Sequence, residues 1–376
     1  MTQHSKKYVI LAGGLTGGPI MPLLAVIKEW QQHDQSVRPV LVDLKKSTSA
    51  AIAKEQGMEF RTIVTGKYRR YFSLKNIIAP ILFMIGLIQS FLLLRKYKPV
   101  AVLGAGGFVQ IPLIVIAWIL RIPRFIHQQD VTPTLSNQIC SMFVNLITTT
   151  FEFSVRDFLQ GTGLGKTYIS TDKVICTGNP LLITGPKPSK AEALHSFHLT
   201  KELPVLLVIG GGSGSLAINQ LIKTALPKLC EVVQVIHSTG PGKAITSTHP
   251  NYHPYSFIDT IEEAYVAADI VLSRAGISTL TYLAHFAKPS IIVPMPESHQ
   301  ELNADLLYQT KSAIVLSQTD LNEEVLIKAI RKLLFDVSLQ HELAKNLQSL
   351  FPEKAAQKVY SLIDRYLNKH AVSKQS

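Results

Sequence analysis

The fold follows from two stretches of the sequence, Tyr8-Val-Ile-Leu-Ala-Gly-Gly-Leu-Thr-Gly-Gly18 and Val205-Leu-Leu-Val-Ile-Gly-Gly-Gly-Ser-Gly214. Each combines an apolar run with a glycine-rich loop, and a segment of helical apolar periodicity follows each loop, over residues 20–30 and 216–229. A strand that passes through a glycine loop into a helix places backbone N–H groups and the positive helix end at one point. The sequence therefore predicts two Rossmann-like domains.

Short apolar runs and longer helical segments alternate through the rest of the chain. This alternation predicts an α/β protein with a doubly wound parallel sheet in each half. The further predicted strands are residues 40–44, 100–103, 124–127, 146–150 and 173–176 in the first half, and 232–237, 255–258, 270–273, 290–294 and 313–316 in the second. A Pro- and Gly-rich linker at 178–189 separates predicted domains 1–185 and 186–350, and a helical segment, 351–376, follows.

Composition restricts the class of protein. The chain has 376 residues, of which 47% are hydrophobic and 17% charged, so it can bury a large core, and disorder, collagen and a disulfide mini-protein are excluded. Its net charge of +12 favours anionic partners: nucleic acid, phosphate-bearing substrates or an acidic membrane surface. The charge alone does not choose among them.

Cysteine usage and the N-terminus indicate a location. Cys140, Cys176 and Cys230 are widely spaced and form no CxxC pair, which predicts neither a disulfide framework nor a zinc site. The apolar run 8–12 is too short for the core of a signal peptide. We therefore expect the protein to stay inside the cell, in a reducing compartment.

One uncharged segment, residues 77–94, reaches the length threshold for a membrane span. Three interpretations stay open: a buried or half-buried core helix, an interfacial membrane patch, and a true span, the last disfavoured by Pro80, Gly86 and the polar Gln89 and Ser90. Cations on both sides of the segment suit anionic headgroups. They are Lys67, Arg69, Arg70, Lys75, Arg95, Lys96 and Lys98.

Three glycine loops at predicted strand ends, 13–18, 104–107 and 210–214, are candidates for phosphate binding, because main-chain N–H groups hold a phosphate only where no Cβ blocks its approach. The alternative for any single loop is close packing of a strand on its helix. Three such loops together favour phosphate-bearing ligands.

Several cofactor and metal motifs fail when tested. The first loop does not match G-x-G-x-x-G, although Asp43 stands where a dinucleotide ribose ligand would be expected. A P-loop at 161–167 would need glycine at position 160, which is Gln160. No Asp-x-Asp pair occurs, and the histidines show no ligand spacing on one helix. We expect no cofactor and no metal.

An ordered set of motifs resembles the MurG family from about residue 8 to about residue 307. The motifs lie at residues 102–109, 122–130, 178–180, 257–259, 269–276, 299–300 and 303–304. The resemblance implies a GT-B fold, in which two Rossmann-like domains face a cleft. It implies inverting, metal-independent transfer of N-acetylglucosamine from UDP-GlcNAc to a lipid-linked muramoyl-peptide in peptidoglycan synthesis. The implied partners are the UDP-sugar, the polyprenyl-diphosphate-linked acceptor and an anionic membrane surface at its cytoplasmic face, without nucleic acid.

The resemblance also implies site residues, position by position. In the N-terminal domain, which holds the acceptor and the membrane, they are Thr16, Gly17, Gly18, Gly104, Gly106 and Gly107. In the C-terminal domain, which holds the UDP-sugar, they are Gly212, Ser213, Ile258, Arg274, Gly276, Ile277, Ser278, Thr279, Leu280, Thr281, Tyr282 and Gln300. A helix start after Gly276 would stabilise the leaving diphosphate through its unpaired N–H groups.

Four positions depart from the family pattern. Pro19 replaces a histidine, Leu182 an arginine, Gly212 a serine, and Tyr282 the ribose-binding glutamate. These replacements remove a proton acceptor, a cation and a bidentate carboxylate. Relocated chemistry, another nucleotide sugar acted on by a transferase or an epimerase, and a non-catalytic lipid- or partner-binding relative all remain open.

With Pro19 excluded, the remaining candidates for the general base lie together after one predicted strand. His127 is ranked first on its ordinary pKa, and Asp130 second. A histidine that only holds the loop through hydrogen bonds is an equally good interpretation of His127.

Overall fold

The structure is a computed structural model that describes residues 6–14, 17–45, 47–66, 75–161, 169–183, 185 and 188–372. The chain divides into two compact units. Unit 1 comprises Met1–Leu182 together with Pro352–Ser376, and unit 2 comprises Ile183–Phe351. The C-terminal segment, which the sequence left as a separate helical extension, thus belongs to the first unit.

Unit 1 is built on a seven-stranded parallel sheet of order β3-β2-β1-β4-β5-β6-β7. The strands are β1 (Lys7–Ala12), β2 (Val37–Asp43), β3 (Glu59–Thr62), β4 (Ala101–Gly104), β5 (Arg124–Gln128), β6 (Leu146–Thr149) and β7 (Val174–Cys176). The described helices are α1 (Ile20–His33), α2 (Ser49–Glu55), α3 (Lys75–Tyr97), α4 (Gln110–Ile119), α5 (Leu135–Ser141), α6 (Glu152–Gln160) and, from the end of the chain, α14 (Ala355–Val372). Only β3 was missed, because this short edge strand, Glu-Phe-Arg-Thr, has a single apolar residue.

Unit 2 has a six-stranded parallel sheet of order β10-β9-β8-β11-β12-β13. Its strands are β8 (Val205–Ile209), β9 (Gln234–Ser238), β10 (Tyr252–Tyr255), β11 (Ile270–Ser273), β12 (Ser290–Ile292) and β13 (Ile314–Val315). Its helices are α7 (Lys190–Ser196), α8 (Leu216–Leu229), α9 (Ile261–Ala267), α10 (Ile277–His285), α11 (Gln300–Gln309), α12 (Glu323–Phe335) and α13 (Val337–Leu350). The prediction of two doubly wound parallel sheets is confirmed.

One predicted strand was wrong. Residues 255–258 were expected to form a strand, but β10 ends at Tyr255 and contains Pro254. Proline has no N–H to donate to a strand ladder, so Pro254 is an unfavourable residue for the interior of a sheet. β10 lies at the edge of the sheet, where one side of the strand needs no partner and proline is tolerated.

Helix α14 covers one face of the unit 1 sheet. Its Val359 and Ile363 are buried in the same apolar cluster as residues of β1, β4 and α1. Leu182, just after β7, belongs to this cluster and is buried. The leucine that stands in place of an expected arginine is therefore a core residue beneath α14.

Helix α3 has two different faces. Leu93, Leu94 and Tyr97 pack into the core, and the backbone of Val64 lies against Gly86, so closely that a side chain there would collide with it. An apolar stripe at helical spacing faces outward and is between 40% and 61% exposed. The stripe consists of Ile78, Ile81, Ile85, Ile88 and Leu92. Among the described helices, α3 alone has the length and composition to cross a membrane.

Candidate functional site

The carboxyl ends of β1, β4 and β5 bring three predicted loops of unit 1 to one edge of the sheet. In the register of the sheet, Ala12 pairs with Gly104, and Gly104 with Ile126. The first glycine loop, the second glycine loop and the loop that carries Asp130 therefore follow neighbouring strands. Ligands of open α/β sheets bind at this edge.

The first two glycine loops pack directly on each other. A Cβ on Gly107, whose φ is +82°, would lie 2.7 Å from the Cα of Gly14. A Cβ on Gly13 would collide with the carboxylate of Asp43, which is fully buried and bonded to Ser49. Asp43 thus secures the first loop instead of facing a ribose.

In the second glycine loop, only one glycine faces open space. A Cβ on Gly104 would collide with the Gln110 side chain, and the N–H of Gly106 donates to Gln110 Oε1 at 3.2 Å. Gly106 has a φ of +116° and no heavy atom within 4 Å of an added Cβ. A ligand can approach this loop at Gly106, although that N–H is already engaged.

At the start of α1, two backbone N–H groups are already bonded within the chain. The carbonyl of Gly17 accepts from the N–H groups of Ile20 at 3.1 Å and Met21 at 3.2 Å, and Gly18 and Pro19 lie between them. Pro19, the N-cap residue, makes no side-chain cap. Thr16 lies outside the described residues.

His127 is enclosed, and both ring nitrogens have partners. Nε2 lies 3.0 Å from Asn179 Oδ1, and Nδ1 lies 2.9 Å from Thr148 Oγ1. Because the amide oxygen only accepts, Nε2 carries the proton and Nδ1 accepts from the threonine hydroxyl. Burial lowers the pKa of His127 to about 4, so the ring is neutral at pH 7. This geometry suits a link between β5, β6 and the Gly178-Asn-Pro180 segment, not proton transfer.

Asp130 lies three residues further on, in a loop whose backbone is held from two sides. Its carbonyl accepts from Gln128 Nε2 at 2.9 Å and from Ser154 Oγ at 3.3 Å. The residue is half-buried, unlike His127. Of the two candidates for the base, Asp130 is the less buried one.

Unit 2 repeats the arrangement at the carboxyl ends of β8, β11 and β12, which are neighbours in its sheet. Loop 210–214 follows β8, Gly276 precedes α10 after β11, and Gln300 begins α11 after β12. Gly276 is the N-cap of α10, and no side chain caps this helix. The first N–H groups of α10 therefore lack intrahelical partners at the predicted diphosphate position.

The first turn of α10 presents its backbone and two side chains. Ile277, Leu280 and Thr281 are buried, and the hydroxyl of Thr281 donates to the carbonyl of Ile277 at 2.8 Å. Ser278 and Thr279 are half-buried. Of the predicted run, these two alone expose side-chain hydroxyls, and contacts from the other three positions are restricted to the main chain.

Gln300 lies beside the start of α10. Its Oε1 accepts from the N–H of Met295 at 3.1 Å, and its Nε2 lies 4.0 Å from the position of a Cβ on Gly276. Asn303, on the same helix, donates to the carbonyl of Ala275 at 3.0 Å. Gly276 and Gln300, which were both predicted to bind the UDP-sugar, therefore lie next to each other.

Arg274 is turned into the protein and does not face solvent, since its exposed fraction is 8%. Its guanidinium donates to the carbonyls of Val293 and Pro294, to Ser215 Oγ at 2.7 Å and to Gln318 Oε1 at 2.6 Å. All four acceptors are neutral, and burial lowers the pKa of Arg274. Arg274, which follows β11, joins the segments that follow β8, β12 and β13 and leaves a positive charge at this edge of the sheet.

The third glycine loop is open at Gly212, where an added Cβ meets nothing within 4 Å. The carbonyls of Ser213 and Gly214 accept from Lys243 Nζ at 2.8 and 3.2 Å. A lone lysine after a strand carries no motif, so this contact of Lys243 could not be predicted from the sequence. The side chain of Ile258 is buried, which leaves its backbone for any contact.

Tyr282 belongs to an aromatic stack. Its ring lies 5.3 Å from that of the buried Tyr265, nearly parallel, and 6.4 Å from Phe286. Burial raises the pKa of Tyr282 to about 12. Where the family has a carboxylate for the ribose, this chain has a ring that packs on α9.

Comparison with known proteins identifies the class. Residues 8–149 match the N-terminal domain of glycosyltransferase family 28, and residues 205–365 match its C-terminal domain. The two matches fall on the two parallel sheets with their glycine loops, so the chain is a glycosyltransferase of GT-B fold.

The family within this class follows from individual relatives. The chain is 32% identical over 370 residues to the UDP-N-acetylglucosamine--N-acetylmuramyl-(pentapeptide) pyrophosphoryl-undecaprenol N-acetylglucosamine transferase of Legionella pneumophila (strain Paris), covering 94% of this chain and 96% of the relative. It is 30% identical to the enzyme of the same name from Thermoanaerobacter sp. (strain X514), covering 95% and 99%. The crystal structure of Acinetobacter baumannii MurG shares the fold, with a TM-score of 0.70, 24% identity and coverage of 96% and 99%. The chain belongs to the MurG family.

Proposed function

We propose that this chain transfers N-acetylglucosamine from UDP-N-acetylglucosamine to N-acetylmuramyl-pentapeptide pyrophosphoryl-undecaprenol, a step of peptidoglycan synthesis. Membership of the MurG family supports the choice of donor and acceptor. In this proposal unit 2 holds the donor and unit 1 the acceptor.

The uncapped start of α10 is the observation that carries the proposal. Its free N–H groups, the amide of Gln300 and the two hydroxyls of Ser278 and Thr279 are donors for a diphosphate and a sugar. The buried charge of Arg274 adds a favourable potential for the negative charge that develops on UDP as it leaves.

The reaction is a direct displacement at the anomeric carbon. The acceptor hydroxyl oxygen forms the new bond to C1, the bond between C1 and the phosphate oxygen breaks, and UDP leaves with its electron pair. Asp130 takes the proton of the hydroxyl as the new bond forms. The configuration at C1 is inverted because the attack comes from the face opposite the leaving group.

We expect UDP to bind the whole chain in the presence of EDTA, and Gly276→Ala to weaken this binding by about 10-fold or more. A methyl group at position 276 fits the fold, since its nearest neighbour is 4.0 Å away and the φ of −73° is ordinary. It would, however, block the approach of phosphate oxygens to the helix start. Isothermal titration calorimetry measures the affinity.

Gly185→Ala is the matched control, because it also adds a methyl group where no described atom lies within 4 Å, in the linker and outside the three predicted glycine loops. It should bind UDP like the wild type. Equal affinity of the Gly276→Ala chain, or binding that requires added magnesium, would contradict the assignment of α10 as a metal-free diphosphate site.

We further propose that unit 1 attaches peripherally to the cytoplasmic face of an anionic membrane through the outward stripe of α3. Arg95, Lys96 and Lys98 are exposed at the end of this helix, while Lys67, Arg69 and Arg70 lie outside the described residues. Helix α3 connects β3 to β4 and packs one face into the core of unit 1. This favours peripheral attachment to the membrane over a transmembrane span. Each basic residue near an anionic surface contributes about 1 kcal/mol.

Replacing Ile81 and Ile88 by serine is expected to reduce vesicle sedimentation by about 10-fold or more, because two apolar side chains no longer enter the interface. Binding of the wild type should need anionic lipid and fall with salt. The control replaces Phe335 and Val337, which are 77% and 59% exposed on unit 2, by serine. If both double variants sediment alike, the α3 surface is not the attachment site.

A further inference from the structure

A continuous line of buried amide side chains connects two loops of the unit 1 site. Gln110 on α4, Asn137 on α5 and Gln128 on β5 are each at most 1% exposed. Gly106 N donates to Gln110 Oε1 at 3.2 Å, and Gln110 Nε2 donates to Asn137 Oδ1 at 2.6 Å. Asn137 Nδ2 then donates to Gln128 Oε1 at 2.7 Å.

The line ends at the loop that carries Asp130. Gln128 Nε2 donates to the carbonyls of Asp130 at 2.9 Å and Thr132 at 2.8 Å, and Gln128 Oε1 also accepts from the N–H of Thr134 at 3.2 Å. A second contact runs in parallel, from Gln129 Nε2 to the carbonyl of Ala105 at 3.0 Å. The glycine loop after β4 and the Asp130 loop are therefore joined twice.

The direction of this line is fixed at both ends. Its first donor is a backbone N–H and its last acceptors are backbone carbonyls, and neither can change its role. No single amide can flip without placing two oxygens or two N–H groups against each other. Burial makes such a mismatch expensive, at about 1–3 kcal/mol for each unsatisfied group.

We propose that Gln110, Asn137 and Gln128 are positioning residues that hold the glycine loop at Gly106 and the base Asp130 in one arrangement for the acceptor. The inference rests on the proposed function. None of the three contacts a reacting atom in it; they act through Gly106 and Asp130.

The test is Asn137→Asp, which keeps the size of the side chain. In the wild type, Asn137 Nδ2 donates to Gln128 Oε1 and, at 3.2 Å, to the carbonyl of His127. The substitution places an oxygen against both of these acceptors. We expect the KM for a synthetic lipid-linked acceptor to rise by about 10-fold and kcat to fall, with the KM for UDP-GlcNAc unchanged. A merely structural loss would reduce the number of active molecules and leave both KM values as they are.

Gln138→Glu is the control, since it makes the same change at the next residue of α5, where the amide donates only to the carbonyl of Pro133. Its acceptor KM should match the wild type. If Asn137→Asp does not fold, Gln110→Met breaks the line at its first member and should raise the acceptor KM in the same way. An acceptor KM within about 2-fold of wild type in a folded variant, or an equal rise in both KM values, would overturn the proposal.

Hydrogen exchange gives a readout that does not need catalysis. The N–H groups of Gly106 and Thr134 should be protected in the wild type and exchange faster together in Asn137→Asp. Unchanged protection of Gly106 would overturn the coupling. Coupled exchange in a chain that neither binds UDP nor transfers sugar would support the coupling and overturn the proposed function instead.

Discussion

Asp130→Asn is expected to lower kcat for sugar transfer by about 10²- to 10⁴-fold, because proton removal by a positioned base contributes that much to the rate. The substitution keeps the shape of the side chain and the carbonyl that Gln128 and Ser154 hold. UDP affinity should not change, since the predicted donor residues are in unit 2. Steady-state transfer to a synthetic lipid-linked acceptor measures the effect.

Two other variants make this result interpretable. Asp157→Asn makes the same change at a half-buried carboxylate on α6 that is not among the predicted site residues and whose pKa burial raises, and it should keep wild-type kcat. His127→Phe should lower the melting temperature while folded molecules retain most of their kcat, since it removes two buried hydrogen bonds. If Asp130→Asn lowers kcat by less than about 10-fold, Asp130 is not the base.

Ending the chain at Phe351 is expected to unfold unit 1 and leave unit 2 folded. The truncation removes α14, whose Val359 and Ile363 each contribute about 1.5–3 kcal/mol by burial, and it uncovers Leu182 and the rest of that apolar cluster. The contacts of Tyr360 with Trp30 and of Tyr366 with Phe125 are lost as well. The sum is comparable to the whole stability of a domain, about 5–15 kcal/mol.

Calorimetry and UDP titration distinguish the two units in this experiment. The truncated chain should lose one unfolding transition and keep UDP binding. A chain that ends at His370 retains most of α14 and serves as the control, and Ile363→Asn in the full chain should destabilise unit 1 in the same direction. A truncated chain with both transitions intact would show that α14 does not contribute to the core of unit 1.

The sequence predicted the elements that depend on local signals. Apolar runs followed by glycines located β1 and β8, and the same rule placed the loop after β4, because strand and turn propensities act over a few residues. The exposed and buried faces of α3 did not follow from the sequence, because residues 77–94 are apolar almost throughout and have little helical periodicity. The assignment of candidate residues to each unit came from the resemblance to the MurG family, not from periodicity.

Other properties depend on contacts between distant residues. Nothing local marks α14 as a part of unit 1, since its partners are in α1 and β5, more than 200 residues away. The burial of His127 results from Thr148 and Asn179, and the inward turn of Arg274 from Ser215 and Gln318. Residue type gave His127 as an acid–base group, and the resemblance to the MurG family gave Arg274 as a ligand, whereas their partners make them links within the fold.

The order of the chain has a consequence during synthesis on the ribosome. The strands of unit 1 precede unit 2 in the sequence, but unit 1 also needs α14, which is translated after all of Ile183–Phe351. At about 5–20 residues per second, the incomplete first sheet waits roughly ten to forty seconds for its covering helix. Until α14 is translated, the apolar face around α1 that it covers stays exposed in the nascent chain. Chaperones that bind nascent chains would find an apolar target there.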